Sequence, residues 1–596
     1  MRWFSPSLRV PNRWPFEVPH RLRAIVRARE SSVIVLAAVV GCVAGLVVAA
    51  MGEVVALMHV IFFGLDYGER LSGRVVLNPI YAFLTPTIGG LLFGLVTAYI
   101  TRRRGTEVDP IEANALHGGR MSMRGSFIVA AQTVWSSGIG ASVGLEAGYT
   151  QLASGIASWL GRAFRLRRSD MRILVGCGAA AAISGAFGAP LGGAFYGFEL
   201  IIGSYSTASL APVGMASLLG YLTAQAFTPA ELGIEPGSVS NLAVHDVAIA
   251  GLLGLFAAIF GIAVMRGVAA CELLFARLRV RPALRPMVGG AIVGLLAMVS
   301  PQVMSSGHGA LHLTGIFKLP IEMIATIFVL KTIASMVSLG SGFRGGLFFA
   351  SLLLGALGGQ LFAVGLLTVW PGSHANPDAY AIIGLSALSV SVIGGPLTMA
   401  FLVLETSGDF AVAAIVLTAC VFASLVVRET FGYSFSTWRL HLRGETLRGA
   451  IDVGWMRTLT VGRMMRRDPA TIPGDAPLSE LRARYPLGST QRVVVVDGGG
   501  RYLGMALVAE AFALAEDPQN DGLTCAAISH WPDSPLTPAL NVKEAMAVFD
   551  ATESEALAVV DTAEDRRVVG LLTEGYALRR YAEELDKARE GLSAGA

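Results

Sequence analysis

The chain has 596 residues, 53% of them hydrophobic and only 15% charged, with a mean hydropathy of +0.60. Soluble domains average about 25% charged residues, so this composition excludes an ordinary water-soluble enzyme. A formal net charge of +3 gives no footing for nucleic-acid binding.

The first 31 residues are polar and Arg-rich (Arg2, Arg9, Arg13, Arg21, Arg23, Arg27, Arg29). They hold no short apolar core with a cleavage site, so no secretory leader is expected. SSVIVLAAVVGCVAGLVVAAM (31–51) and YAFLTPTIGGLLFGLVTAYI (81–100) reach the roughly 20 residues that cross a bilayer, and similar runs recur to about residue 427. Basic loops at Arg102–Arg104 and Arg162–Arg172 place those loops and the N-terminus in the cytoplasm of a bacterial-type inner or plasma membrane by the positive-inside rule.

Within the apolar part the sequence repeats. APLGGAFYGFE (189–199) and GPLTMAFLVLE (395–405) share PLxxAFxxxE, with Pro190 and Pro396, and Glu199 and Glu405, both 206 apart. Each half also carries an earlier glycine-rich break, GIGASVGLEAGYTQ (138–151) and GSGFRGGLFFASLL (340–353). Two halves, about 32–225 and 245–430, fit a transporter built from a structural repeat. Irregular backbone at membrane depth survives only where it faces protein or a watery path. Where each chain resumes as a helix, its first N–H groups lack internal partners and its dipole is positive. Two such ends aimed at one point would hold an anion.

After residue 440 the composition turns polar. A linker (441–456) leads to a tail (457–590) in which VVVVDGGGRYLGMALVAEAFAL (493–514) and LAVVDTAEDRRVVGLLTEGYAL (557–578) follow one plan of strand, turn, strand and helix. Cys42, Cys177, Cys271, Cys420 and Cys525 form no metal or disulfide pattern. His308 and His312 are four apart among glycines and lack a third ligand nearby, so a loop or packing role is expected.

Together, SGFRGGLFFASLLLGALGG, ISGAFGAPLGGAFYGFE, GGPLTMAFLVLETSGDF and GLEAGYTQ resemble the CLC family of chloride channels and chloride–proton exchangers. The tail resembles the paired CBS domains that many members carry. The resemblance spans roughly residues 30–590. It implies a polytopic α-helical membrane protein with an inverted structural repeat and broken helices, a cytoplasmic α/β tandem CBS tail, and a homodimer with one pore per subunit. Both termini would be cytoplasmic, and the protein would be a transporter rather than an enzyme.

Carried onto this chain, the family's three site segments differ from their usual forms. GTEVDP (105–110) stands for GSGIP, with Thr106 or Glu107 near the usual serine. Gly144, Leu145, Glu146, Ala147 and Gly148 stand for GREGP. Gly346, Leu347, Phe348, Phe349 and Ala350 stand for GIFAP, with the N–H groups of Leu347 and Phe348 expected to face the ion. Ser436 best matches the pore tyrosine, and Tyr433 replaces it only if the last helix begins differently.

Glu146 aligns with the gating glutamate. Desolvation favours its neutral acid and a helix N-terminus favours its anion. Deprotonated, the carboxylate mimics the permeant anion; protonated, it swings away. Exchangers usually carry a second glutamate, and Leu200 stands at that position. Glu199, the candidate for a proton path, is one residue earlier and so turned by about 100°.

The expected activity is therefore chloride transport by channel-like conduction gated by Glu146. Two alternatives remain open: proton-coupled exchange of chloride, fluoride or another anion, and a non-conducting regulatory protein that senses a ligand through its tail. Lys331, an intramembrane cation, either raises the pore's positive potential or pairs with a carboxylate such as Glu405, and the pairing is the expectation. No cofactor is required. An adenine nucleotide in the CBS cleft is an option the resemblance raises, with Thr573 fitting the hydroxyl position, Leu507 not fitting, and Glu510 and Tyr576 standing where an Asp is usual.

Overall fold

The computed structural model describes residue 19 and residues 31–104, 107–228, 244–311, 319–373, 375–442, 459–514 and 522–580. Thr106, His312, nearly all of the basic N-terminal segment and most of the 441–456 linker lie outside the described residues. The chain divides into two compact units, Met1–Asp452 and Val453–Ala596.

Apolar composition drives the first unit. Among the described residues, eight helices are long and apolar enough to cross a membrane. Its first half contains α1 (Ser31–Phe63), α2 (Pro79–Arg104), α3 (Pro110–Leu116), α4 (Met123–Gly138), α5 (Glu146–Ala163), α6 (Arg168–Phe187), α7 (Pro190–Tyr196, continued by a π-helical turn Gly197–Ile202) and α8 (Thr207–Phe227). The second half contains α9 (Val244–Arg277), α10 (Arg285–Val299), α11 (Ile321–Gly340), α12 (Phe348–Val369), α13 (Pro377–Ile393), α14 (Pro396–Ser407), α15 (Phe410–Thr430) and α16 (Phe435–Leu442).

The repeat read from sequence is a repeat of local structure. Gly188 (φ 68°) ends α6 and Gly394 (φ 80°) ends α13. Both adopt a positive φ that favours glycine. Each is followed two residues later by a proline at the first helical position, Pro190 of α7 and Pro396 of α14, where the missing N–H costs nothing.

The two glutamates of the repeat close this motif reciprocally. Glu405, on α14, accepts from Leu191 N (2.7 Å) and Gly192 N (2.9 Å) at the start of α7. Glu199, in the turn that continues α7, accepts from Leu397 N (3.1 Å), Thr398 N (2.8 Å) and Thr398 Oγ1 (2.7 Å) at the start of α14. Each helix thus caps the other's N-terminus, and these charge-assisted bonds offset the cost of placing two carboxylates at membrane depth.

The tail has its own core. A three-stranded sheet orders β1 (Thr471–Pro473), β2 (Arg492–Val496) and β3 (Tyr502–Leu507), with β1 parallel and β3 antiparallel to β2. A second sheet pairs β4 (Ala556–Val560) antiparallel to β5 (Val568–Thr573). The register shifts at Val495/Val496 in the first copy and at Val559/Val560 in the second. The same irregularity at matching points marks the two units as copies of one plan. Val494, Tyr502, Met505, Ala558 and Val560 join them in a shared core.

Candidate functional site

The two glycine-rich breaks meet. Gly144 N donates to Gly346 O (3.0 Å), and Gly346 N donates to Gly144 O (3.1 Å), a one-pair antiparallel bridge between segments 202 residues apart. Just beyond the bridge each chain turns into a helix, α5 from Glu146 and α12 from Phe348, with Leu145 and Leu347 at the N-caps. Two helix N-termini are thereby fixed side by side, as the breaks imply.

Glu146 bridges them. Its carboxylate Oε1 accepts from Phe349 N (3.2 Å) in the first turn of α12, and the residue is only 6% exposed. A Cβ on Gly144 would lie 1.9 Å from Glu146 Oε2, and one on Gly346 would lie 2.6 Å from Oε1. The two glycines are therefore a cradle that only a missing side chain leaves open. Oε2 is buried without a hydrogen-bond partner. The carboxylate occupies an anion-sized seat at the end of α12.

A cavity of about 310 Å³ opens onto this seat, lined by Leu145, Glu146, Tyr149, His59, His308 and Phe349 among others. At about 30 Å³ per water it has room for a small hydrated anion. His308 stacks on Phe349 with ring centroids 3.2 Å apart and meets Ser306 Oγ through Nδ1 (3.1 Å). That is a packing role, as its glycine neighbours suggested. Among the described residues no His, Cys, Asp or Glu cluster has the makeup of a metal site.

Several expectations need correction. The N–H groups of Gly144 and Gly346 are spent on each other and do not face an ion. Gly148 N donates to Leu145 O (2.9 Å) within its own turn, so it is not a ligand either; Ala147 lies between it and Glu146. Of the two N–H groups expected at the seat, Phe348 N does face the carboxylate, and its companion is Phe349 N rather than Leu347 N. Glu107 packs on Gly125 in the first turn of α4, and a carboxylate, which only accepts, offers an anion no donor.

Lys331 does not pair with Glu405. Its buried ammonium donates to Val303 O (3.1 Å) and Ser305 O (2.8 Å), within electrostatic reach of Glu146, while Glu405 serves α7. Glu199 is committed to α14. The last helix begins at Phe435, so Tyr433 stays outside it, its hydroxyl against His441 Nδ1 (3.2 Å). Ser436, next to Phe435, makes no hydrogen bond among the described residues. Phe435 shares the core cluster of Phe348 and Phe349.

Sequence reading missed the polar stripe of α11. Lys331, Ser335 and Ser338, spaced four and three, lie on one helical face. Ser338 Oγ accepts from Ser142 N (2.9 Å), and Ser335 Oγ meets Ser142 Oγ (3.0 Å). The spacing was legible; its target, the first break, was not. In the tail, Thr573 is the exposed last residue of β5, in register with Ala556. Glu510 is held by His530 Nε2 (2.6 Å).

Two helices broken at membrane depth, joined through their breaks and closed by a carboxylate at their shared N-terminal end, define an anion-transport membrane protein. Residues 89–428 match the family described as voltage gated chloride channel, and residues 461–510 match the CBS domain. The chain belongs to this voltage-gated chloride channel (CLC) family. It is 31% identical over 407 residues to a ClcB-like protein of Ralstonia nicotianae, covering 66% of this chain and 93% of that relative. Among solved structures it is similar to a slow cyanobacterial Cl⁻/H⁺ antiporter (TM-score 0.60, 20% identity, 69% of this chain and 97% of that one). It is also similar to a CLC-type fluoride/proton antiporter (TM-score 0.56, 19% identity, 69% and 98%).

Proposed function

We propose that this transporter exchanges a small anion, chloride in the first instance, for protons, with Glu146 as both gate and proton carrier. The observation that carries the reading is the seat itself. The carboxylate lies on the Gly144–Gly346 bridge at the N-terminus of α12, where a permeant anion would bind, so carboxylate and anion exclude one another. Protonation removes the charge that holds it there, the side chain withdraws, and an anion takes its place. Each cycle then links one protonation of Glu146 to anion movement. The antiporters of similar fold favour this exchange over channel-like conduction, the reading drawn from Leu200 and the offset of Glu199. A homodimer, with both termini cytoplasmic, completes the proposal.

The test is anion efflux from liposomes holding the purified full-length protein, with external pH recorded simultaneously. Stoichiometric proton movement against the anion gradient is expected. Anion flux without proton movement would establish the channel reading instead, and no flux of chloride, fluoride or nitrate would overturn both.

A further inference from the structure

An exchanger must bring protons to Glu146 from the face opposite the cavity. The cavity is lined by the C-terminal half of α1 and by residues 68–72 and 305–308. If α1 and α2 each cross once, the end of α2 returns to the opposite face, and α3 follows it there. Leu200 offers no acid, and Glu199 is spent on α14.

Tyr196, the last residue of α7, lies between the gate and that face. Its ring is parallel to that of Phe348, the first residue of α12 (centroids 6.3 Å apart, 12° between planes). Tyr196 also packs against the small cluster that holds Ile111 and Ile201, and Val108 packs against the same cluster. Val108 precedes Asp109, the N-cap of α3, which is half-buried and accepts from Glu112 N (2.8 Å). Gln151, on the helix that Glu146 begins, fixes this stretch by donating to Val108 O (2.9 Å).

The charges that reach Tyr196 are those of Glu146 and Asp109. Those reaching Glu146 include Lys331, and Tyr149 and Tyr196 both lie within its field. Among the described residues the Tyr196 hydroxyl has no hydrogen-bond partner, whereas the buried Tyr380 hydroxyl donates to Asp246 (2.7 Å). An unpartnered phenol within the field of two carboxylates can take a proton from one and give its own to the other.

We propose that Asp109 and Tyr196 form the proton route to Glu146, a proposal that rests on the exchanger reading. The protonated Asp109 carboxyl gives its proton to the phenolic oxygen as the phenol's O–H proton passes to Glu146 Oε2, the oxygen without a partner. Each transfer is direct or across one water. Asp109 is left a carboxylate, Glu146 a carboxylic acid, and the phenol is restored when its O–H rotates back.

The experiment compares wild type, Tyr196→Phe and Asp109→Asn in liposomes, reading chloride and proton fluxes together. Phenylalanine keeps the ring on Phe348, and asparagine keeps the cap on α3. Both variants are expected to retain chloride flux and to lose proton flux by about 100-fold or more, the scale of a removed proton-transfer group. Coupled transport in wild type and equally in Tyr196→Phe would overturn the relay alone. Folded variants that lose both fluxes together would also overturn it, because the residues would then serve the anion. Wild type that moves chloride without protons would overturn relay and exchanger reading at once. Should Tyr196→Phe fail to fold, Asp109→Asn decides.

Discussion

Alanine at Gly144 should unseat the gate without touching its charge. Neither Gly144 nor Gly346 has a left-handed φ, so the backbone accepts alanine at either position. The three atoms nearest the new Cβ of Gly144→Ala all belong to Glu146, with Oε2 at 1.9 Å and the carboxylate carbon at 2.5 Å, well inside contact distance. The flexible side chain yields, and its bond from Phe349 N is lost. A hydrogen bond to a charged group contributes about 1.5–3 kcal/mol. At about 1.4 kcal/mol per decade, the seated state loses roughly 10- to 150-fold in population.

Wild-type flux should rise as pH falls, since protonation releases the carboxylate. Gly144→Ala should carry anions at high pH as wild type does at low pH, with a flattened profile. Anion efflux from liposomes at a series of pH values measures this. A folded variant whose profile superimposes on wild type would refute the contact on which the reasoning rests.

The reciprocal caps predict paired losses of stability. Glu405→Ala removes two charge-assisted bonds, about 3–6 kcal/mol, and Glu405→Gln, keeping one acceptor, should cost about half. Glu199→Ala removes three such bonds and should cost about half as much again as Glu405→Ala. Loss of monodispersity on heating in detergent reads this as an apparent Tm, and an unchanged Tm in either alanine variant would contradict the capping role. Lys331→Met strands the carbonyls of Val303 and Ser305, at about 1–3 kcal/mol each, partly offset by removing a buried charge. Its apparent Tm should fall, and a Tm equal to wild type would show that those carbonyls do not depend on Lys331. In the tail, burial pushes the Cys525 thiol up to about 11, and the residue is fully buried. At pH 8 roughly one thiol in a thousand is thiolate, so peptide mapping after alkylation of the folded full-length protein should find Cys525 unmodified; rapid labelling would contradict its burial.

Much of the architecture was legible because it rests on local chemistry. The 206-residue offset joining Gly188, Pro190 and Glu199 to Gly394, Pro396 and Glu405 survives because each residue does a local job: a left-handed turn, a first helical position, a cap. The sequence also showed that the breaks must face protein, since unpaired backbone in lipid is costly. It could not show that Gly144 and Gly346 bond to each other. Pairing between segments 202 residues apart is set by tertiary packing, so the sequence leaves the glycines looking like ion ligands. The expected pairing of Lys331 with Glu405 fails for a similar reason. A buried ammonium seeks acceptors, and backbone carbonyls such as those of Val303 and Ser305 are invisible in a search for opposite charges. Nothing in the sequence singles out Tyr196, because a tyrosine in an apolar helix is usually core. What sets it apart is the fold, which stacks its ring on Phe348 within the field of two carboxylates.

The central claim is that Glu146 competes with the permeant anion for one seat. Glu146→Gln keeps the size of the side chain and removes its charge at every pH, so it tests that claim most directly when anion efflux is measured across a pH series. The account predicts anion flux that no longer depends on pH, without coupled proton movement. A pH response identical to wild type would contradict it.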